Sequence, residues 1–245
     1  MGIKTEKTQL IETFKDKESF TVNDLHSFFS KMDKDIKRAT VNWRIYELVN
    51  LGILKRTGRG IYTLGHGQLF SCPIHKKQKN LSLLISKNFP LISYCSWSST
   101  VLNEFYHHIS KNQFLIVEVE KDAVDPVYFL LRNEYKNVLR KPTAAIVEEF
   151  DFLINKDAVI VKSLISEAPL QNIQDIAVPT LEKILVDLYA DTDTFYYLQG
   201  NEIVNVYRNA LDKYTMNNDR LLRYAKRRSK DKEIRNMLHL AINNQ

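Results

Sequence analysis

Between residues 36 and 64 an amphipathic helix runs into a glycine and then directly into two short strands. Val41, Ile45, Leu48 and Val49 fall at i, i+4, i+7 and i+8, which makes one buried stripe on a helix over about Ile36 to Leu51. Gly52 stands where a helix stops by taking a left-handed conformation. Ile53-Leu54-Lys55-Arg56 and Ile61-Tyr62-Thr63-Leu64 read as strands, with Thr57-Gly58-Arg59-Gly60 as the turn between them. Upstream, Leu10, Ile11 and Phe14 share a face of a first helix over about residues 4–16. Phe20-Thr21 is short and extended, and Thr21 can cap a second helix that carries Leu25, Phe28 and Phe29. Met32-Asp33-Lys34 is a polar break before the third helix. Three small helices followed by a two-stranded wing predict a winged helix over residues 1–66.

Residues 67–80 are polar and basic, with Pro73 and Lys76-Lys77-Gln78-Lys79, and read as a linker. A larger α/β domain is expected over residues 81–245, ending in a helical segment, so the fold class is α+β. Leu91-Ile92-Ser93-Tyr94, Phe114-Leu115-Ile116-Val117 and Ala158-Val159-Ile160-Val161 are strand-like. Helices are expected over about Ser98–Ile109 and Val124–Tyr135. In the last third, Leu181, Ile184, Leu185 and Leu188 fit a helical stripe that opens after Pro179. The sets Ile203, Val206, Tyr207, Ala210 and Ile234, Met237, Leu238, Ala241 repeat that template.

Hydrophobic residues make up 44% of the 245 and charged ones 26%, which excludes a disordered chain. No apolar run approaches the roughly 18 residues of a membrane span. The opening MGIKTEKTQLIETF has no signal-peptide core, and two cysteines, Cys72 and Cys95, cannot build a disulfide framework. These features predict a cytoplasmic protein with reduced thiols. The net charge of +6 suits a polyanionic partner.

The third helix and the hairpin concentrate that charge. With Val41, Ile45 and Leu48 inward, Thr40, Asn42, Trp43 and Glu47 turn outward, and Lys37 and Arg38 lie at the helix N-terminus. Arg44 flanks the stripe within reach of a phosphate, and the wing adds Lys55, Arg56 and Arg59. No Asp or Glu occurs from Leu48 through Lys79. Such an arrangement suits double-stranded DNA, with base edges read by the helix and phosphates held by the cations. The bland alternative is a solvated basic face or a protein-interaction module. Trp43 either wedges against DNA or packs on the second domain. A second basic cluster, Arg220, Arg223, Arg227, Arg228 and Arg235 with Lys226, Lys230 and Lys232, is either a solvated helical face or a contact for a second polyanion or an acidic partner.

Other constellations fall short of chemistry. Glu118-Val119-Glu120-Lys121 has the residue types of a restriction-type nuclease element with the wrong spacing. Asp191-Thr192-Asp193 lacks the upstream Gly-Ser turn of nucleotidyltransferases and reads as a turn. Cys72, His75 and His66 make at most three zinc ligands, and the adjacent His107-His108 cannot chelate from one helix face. No catalytic residue, metal or cofactor is expected.

The stretch from Arg38 to Tyr62, RATVNWRIYELVNLGILKRTGRGIY, resembles the recognition helix and wing of AbiEi-type antitoxins. Leu91–Leu102, LISYCSWSSTVL, resembles the opening of that family's second domain, and Val178–Leu188, VPTLEKILVDL, its later Pro-initiated helix. Residues 134–157 match nothing in that pattern. The resemblance implies a transcriptional autoregulator that binds its own promoter or operator and neutralises a partner toxin resembling a nucleotidyltransferase. The rival expectations are a metal-dependent nuclease around Glu118 and Glu120, and a ligand-sensing transcription factor without a toxin.

Overall fold

Helix α1 (Ile3–Phe14) contributes Leu10 and Phe14 to a core that also takes Phe20, Leu25, Phe28, Val41, Ile45 and Leu48. The computed structural model describes residues 3–65, 69–106, 114–154, 158–198 and 200–243. His66 and the His107-His108 pair lie outside them. The chain divides into two units: Met1–Phe70 with Leu211–Asp219, and Ser71–Ala210 with Arg220–Gln245. The first unit thus takes in a segment from far down the chain, which local patterning at residues 1–66 does not reveal.

In the first unit, α1 is followed by β1 (Phe20–Thr21), α2 (Val22–Met32), α3 (Arg38–Asn50), β2 (Leu54–Gly58) and β3 (Ile61–Leu64). Thr21 caps α2 reciprocally: its Oγ1 accepts from Asp24 N at 3.2 Å, and Asp24 Oδ2 accepts from Thr21 N at 2.7 Å. That hydrogen bond holds the Asp24 carboxyl below its ordinary value. The strands form an antiparallel sheet ordered β1-β3-β2, with Phe20 opposite Tyr62 and a register shift between Arg56 and Gly58.

Helix α3 stops in two crossed hydrogen bonds, Gly52 N to Val49 O at 3.0 Å and Ile53 N to Leu48 O at 2.9 Å. This closure requires the left-handed φ of +70° at Gly52. Gly52→Ala adds a Cβ only 2.9 Å from Leu69 Cδ2, but Leu69 is exposed and can shift. The left-handed backbone cannot, so we expect a loss of roughly 1–2 kcal/mol. A urea titration following the first unit checks this, and an unchanged midpoint would refute it.

The second unit begins with α4 (Lys76–Asn88), so the basic run expected in a linker is the first turn of a helix whose Leu81 and Ile85 are buried. Its sheet comprises β4 (Tyr94–Ser98), β5 (Phe114–Val119), β6 (Val138–Arg140) and β7 (Ala158–Ser163), ordered β4-β5-β7-β6. β4 pairs antiparallel with β5, whereas β5, β7 and β6 are parallel. Helices α5 (Val124–Glu134) and α6 (Ala144–Ile154) connect them, so within the stretch 134–157 the described residues, up to Ile154, supply a strand and a crossover helix. The apolar run Leu91–Tyr94 is not the strand itself: β4 starts at Tyr94, and Leu91 is exposed. In place of a long helix from Ser98, a short 3₁₀ segment covers Ser99–Glu104.

The pleat of this sheet separates two layers. Leu115, Val117 and Val119 of β5 and Val159 and Val161 of β7 pack with α4 and α5. Alternate positions, Cys95 and Trp97 of β4, Ile116 and Glu118 of β5, and Lys162 of β7, face the other way. A hairpin of β8 (Leu170–Ile173) and β9 (Ile176–Pro179) leads into α7 (Leu181–Ala190), which is buried from Leu181 through Leu188. The chain ends in α8 (Asn201–Lys213), α9 (Asn218–Arg227) and α10 (Asp231–Asn243). No helix among the described residues is long and apolar enough to cross a membrane.

Candidate nucleic-acid interface

Burial of Val41, Ile45 and Leu48 fixes the rotation of α3, and the remaining face is solvent-exposed. Lys37, Arg38, Thr40, Asn42 and Trp43 all lie on it. The first turn of α3 contains no acidic residue, and its cap, Lys37, makes no side-chain capping bond. The helix therefore presents a positive N-terminal end without an internal anion to offset it. Arg38 Nη2 donates to Asn23 Oδ1 of α2 at 3.1 Å, which holds the guanidinium beside that end. Tyr46, 65% exposed, belongs to the same surface. Rotating the helix by 100° per residue from the buried stripe would have found it, but its aromatic ring draws it into a core reading.

The other sequence-selected cations have partners inside the unit. Arg44 lies 3.6 Å from Glu6 of α1 and stacks over the Phe29 ring, with its guanidinium carbon 5.2 Å from the centroid. Arg56 Nη1 donates to Asp219 Oδ2 at 2.8 Å and its Nε to Gly58 O at 3.2 Å. Lys55 is partly buried, which lowers its pKa, and the charge of Asp212 opposes that shift. Arg59 is exposed in the hairpin turn beside Gly60, which sits at φ +73°. Trp43 rims a cavity of about 300 Å³ together with Lys7 and Leu10 of α1 and Leu51.

The second unit holds a buried ionic cluster of which the sequence analysis had singled out only parts. Lys183 of α7, 0% exposed, places Nζ 2.6 Å from Glu118 Oε2 and 2.6 Å from Asp187 Oδ2. Trp97 Nε1 donates to Glu118 Oε1 at 3.2 Å, and Tyr224 OH donates to Asp187 Oδ1 at 2.9 Å. Arg228 approaches the same Asp187 oxygen at 3.6 Å, while Lys162 bridges Asp191 at 2.5 Å and Glu118 at 3.8 Å. Three cations thus face three carboxylates. Glu120 instead accepts from the Ser93 backbone N at 2.8 Å at an exposed position, whereas Glu118 is buried. The pair Lys183 and Asp187, at i and i+4, was the available signal. It was masked because fitting α7 to a single apolar stripe assigns every other position to solvent.

The C-terminal basic cluster is divided. Arg228 turns inward to Asp187, Arg227 donates to Ser166 Oγ through Nε at 2.7 Å, and Arg220 lies 3.8 Å from Glu182. Arg223 of α9 and Arg235 of α10 are exposed.

Both cysteines are buried and unpaired. Burial pushes the Cys72 thiol up to about 12 against the pull of Lys183, and Cys95 well above its ordinary value. Both stay protonated at neutral pH and are poor nucleophiles. Iodoacetamide at pH 8 is expected to leave the native mass unchanged and to add two groups in denaturant. Rapid labelling of the native chain would contradict that burial.

No protein of curated function matches the chain. A family of unknown function, DUF6577, matches residues 40–244, from the first turn of α3 to the end of α10, and the chain belongs to that family.

Proposed function

We propose that the first unit is a winged-helix DNA-binding module and that the whole chain is an antitoxin-like transcriptional autoregulator. In this reading α3 is the recognition helix and the β2–β3 hairpin is the wing. The observation that carries it is the exposed N-terminal end of α3. Lys37, Arg38, Thr40 and Asn42 stand there together without an acidic residue in the turn. Arg38 and Asn42 are the residue types that read guanine and adenine edges, and Lys37 and Arg59 are suited to phosphates. Arg44 and Arg56, with partners inside the unit, serve as framework cations more than as contacts. The second unit is the partner-binding domain, and its partner is a toxin resembling a nucleotidyltransferase.

The burial of Glu118 against Lys183 favours this reading over the nuclease. A carboxylate whose two oxygens already receive Lys183 and Trp97 is closed to a metal, and Glu120 accepts from Ser93 at an exposed position. The test has two arms. The full chain should retard a duplex from its own upstream region in preference to a shuffled duplex of equal length. Co-expression should rescue growth from the toxicity of the neighbouring gene product. Equal binding to both duplexes would remove the regulator, and failed rescue would remove the antitoxin.

A further inference from the structure

We propose that the second unit carries a site for hydrogen phosphate at the N-terminus of α4, a site that does not depend on the DNA-binding reading. A cavity of about 230 Å³ is lined there by His75, Lys77, Gln78, Ser98 and Thr100, over an apolar wall from the start of β5. Among the described residues no carboxylate lines it. α4 is 13 residues long, has no acidic residue in its first turn and opens without a side-chain cap, because His75 makes no capping bond. The positive end of the helix therefore faces a cavity of basic and hydroxylic character, which favours an anion.

Gln78 narrows the choice of anion. Its side chain is wholly buried, and its Nε2 donates to the Ser96 carbonyl oxygen at 2.7 Å. A carbonyl oxygen can only accept, so the amide cannot be turned over, and Oε1 must point the other way. Among the described residues that oxygen has no hydrogen-bond partner. Gln78 is among the residues that line the cavity, and a buried acceptor without a donor is costly, so in this proposal the ligand brings an O–H or N–H to it. Sulfate and the dianion of a phosphate ester have only acceptor oxygens, which would face Oε1 oxygen to oxygen. Hydrogen phosphate has both requirements in one small ion: negative oxygens for the helix end, and a P–OH that donates to Oε1. The hydroxyls are already chained, His75 Nε2 to Thr100 Oγ1 at 3.0 Å and Thr100 Oγ1 to Ser98 Oγ at 2.8 Å. With the imidazole donating, the chain passes a donor along towards the ion. The cavity is smaller than the roughly 300–1,000 Å³ typical of organic-ligand pockets, as suits a single tetrahedral anion.

Isothermal titration of the full chain at pH 7.5 with sodium phosphate, sodium sulfate and methyl phosphate tests this. We expect saturable binding of one phosphate, with sulfate and methyl phosphate at least about tenfold weaker, the effect of one hydrogen bond to a charged group. Gln78→Met should abolish the preference for phosphate over sulfate. Thr100→Val, at a partly exposed position, should weaken phosphate about tenfold with the helical spectrum unchanged. If Gln78→Met does not fold, the wild-type selectivity and Thr100→Val decide. The absence of saturable binding, sulfate or methyl phosphate binding as tightly as phosphate, or phosphate affinity unchanged in Thr100→Val would each overturn the site.

Discussion

Lys183→Met is expected to lower the stability of the second unit by about 3–5 kcal/mol, enough to unfold a marginal domain. The ammonium is fully buried between Glu118 and Asp187. Burial alone would lower its pKa, yet Asp187 and Glu118 hold it well above the ordinary 10.5. Burial likewise works to raise the Asp187 carboxyl, and Lys183, Lys162 and Arg228 more than offset that and hold it below 3.8. A raised base contributes stability that is full below its unfolded value and lost as pH climbs through the folded one. A depressed acid contributes stability present above its unfolded value and lost as pH falls through the folded one. The cluster thus supports the fold across the whole interval between 3.8 and 10.5 and gives way at the extremes. Removing Lys183 alone leaves Glu118 and Asp187 buried with the more distant Lys162 at 3.8 Å and Arg228 at 3.6 Å as their cations. Removing the charges together, as Lys183→Met with Glu118→Gln and Asp187→Asn, should recover more than half of the loss. Urea titrations of both variants check this. A single variant that loses less than about 1 kcal/mol would show that the cluster behaves like an exposed pair.

The second large effect is expected on sequence discrimination. Arg38→Ala and Asn42→Ala remove side chains from the exposed face of α3 without touching the core formed by Val41, Ile45 and Leu48. If both reach base edges, each costs about 1–3 kcal/mol of discrimination, so the double variant loses on the order of a hundredfold or more in preference for its upstream duplex. Affinity for a shuffled duplex should fall far less, because phosphate contacts carry that component. Competition between the two duplexes measures the ratio. An undiminished ratio in a folded double variant would show that α3 does not read bases.

Legibility in the sequence followed the range of the interactions. Thr21 as a cap, Gly52 as a stop and the stripe Val41, Ile45, Leu48 are local devices, and the structure places each as the pattern implied. The partners that tie down Arg44 and Arg56 are Glu6 and Asp219, 38 and 163 positions away, and no periodicity encodes such pairings. β4 was displaced because its inward positions include Ser96. That serine is buried against Ser82 and Gln78, so a polar residue serves the core there. Lys183 was missed for the same reason: Glu182, Lys183 and Asp187 read as the solvent face of an amphipathic helix, and their burial and pairing are set only in three dimensions. β6 spans three residues and, among the described residues, pairs with β7 alone, too short a run to carry a pattern of its own.

In the proposed reading Lys37 and Arg59 hold DNA phosphates while α3 lies against the bases. The direct measurement is the salt dependence of binding to the upstream duplex for the full chain, for Lys37→Ala with Arg59→Ala, and for Arg44→Ala. Each lost phosphate contact removes about 0.9 from the slope of log affinity against log salt. The double variant should therefore show a slope shallower by about two such steps. Arg44→Ala, whose guanidinium is held by Glu6 and Phe29, should keep the slope of the parent. A double variant with the parent's slope, or an equal fall in Arg44→Ala, would contradict this placement of the DNA.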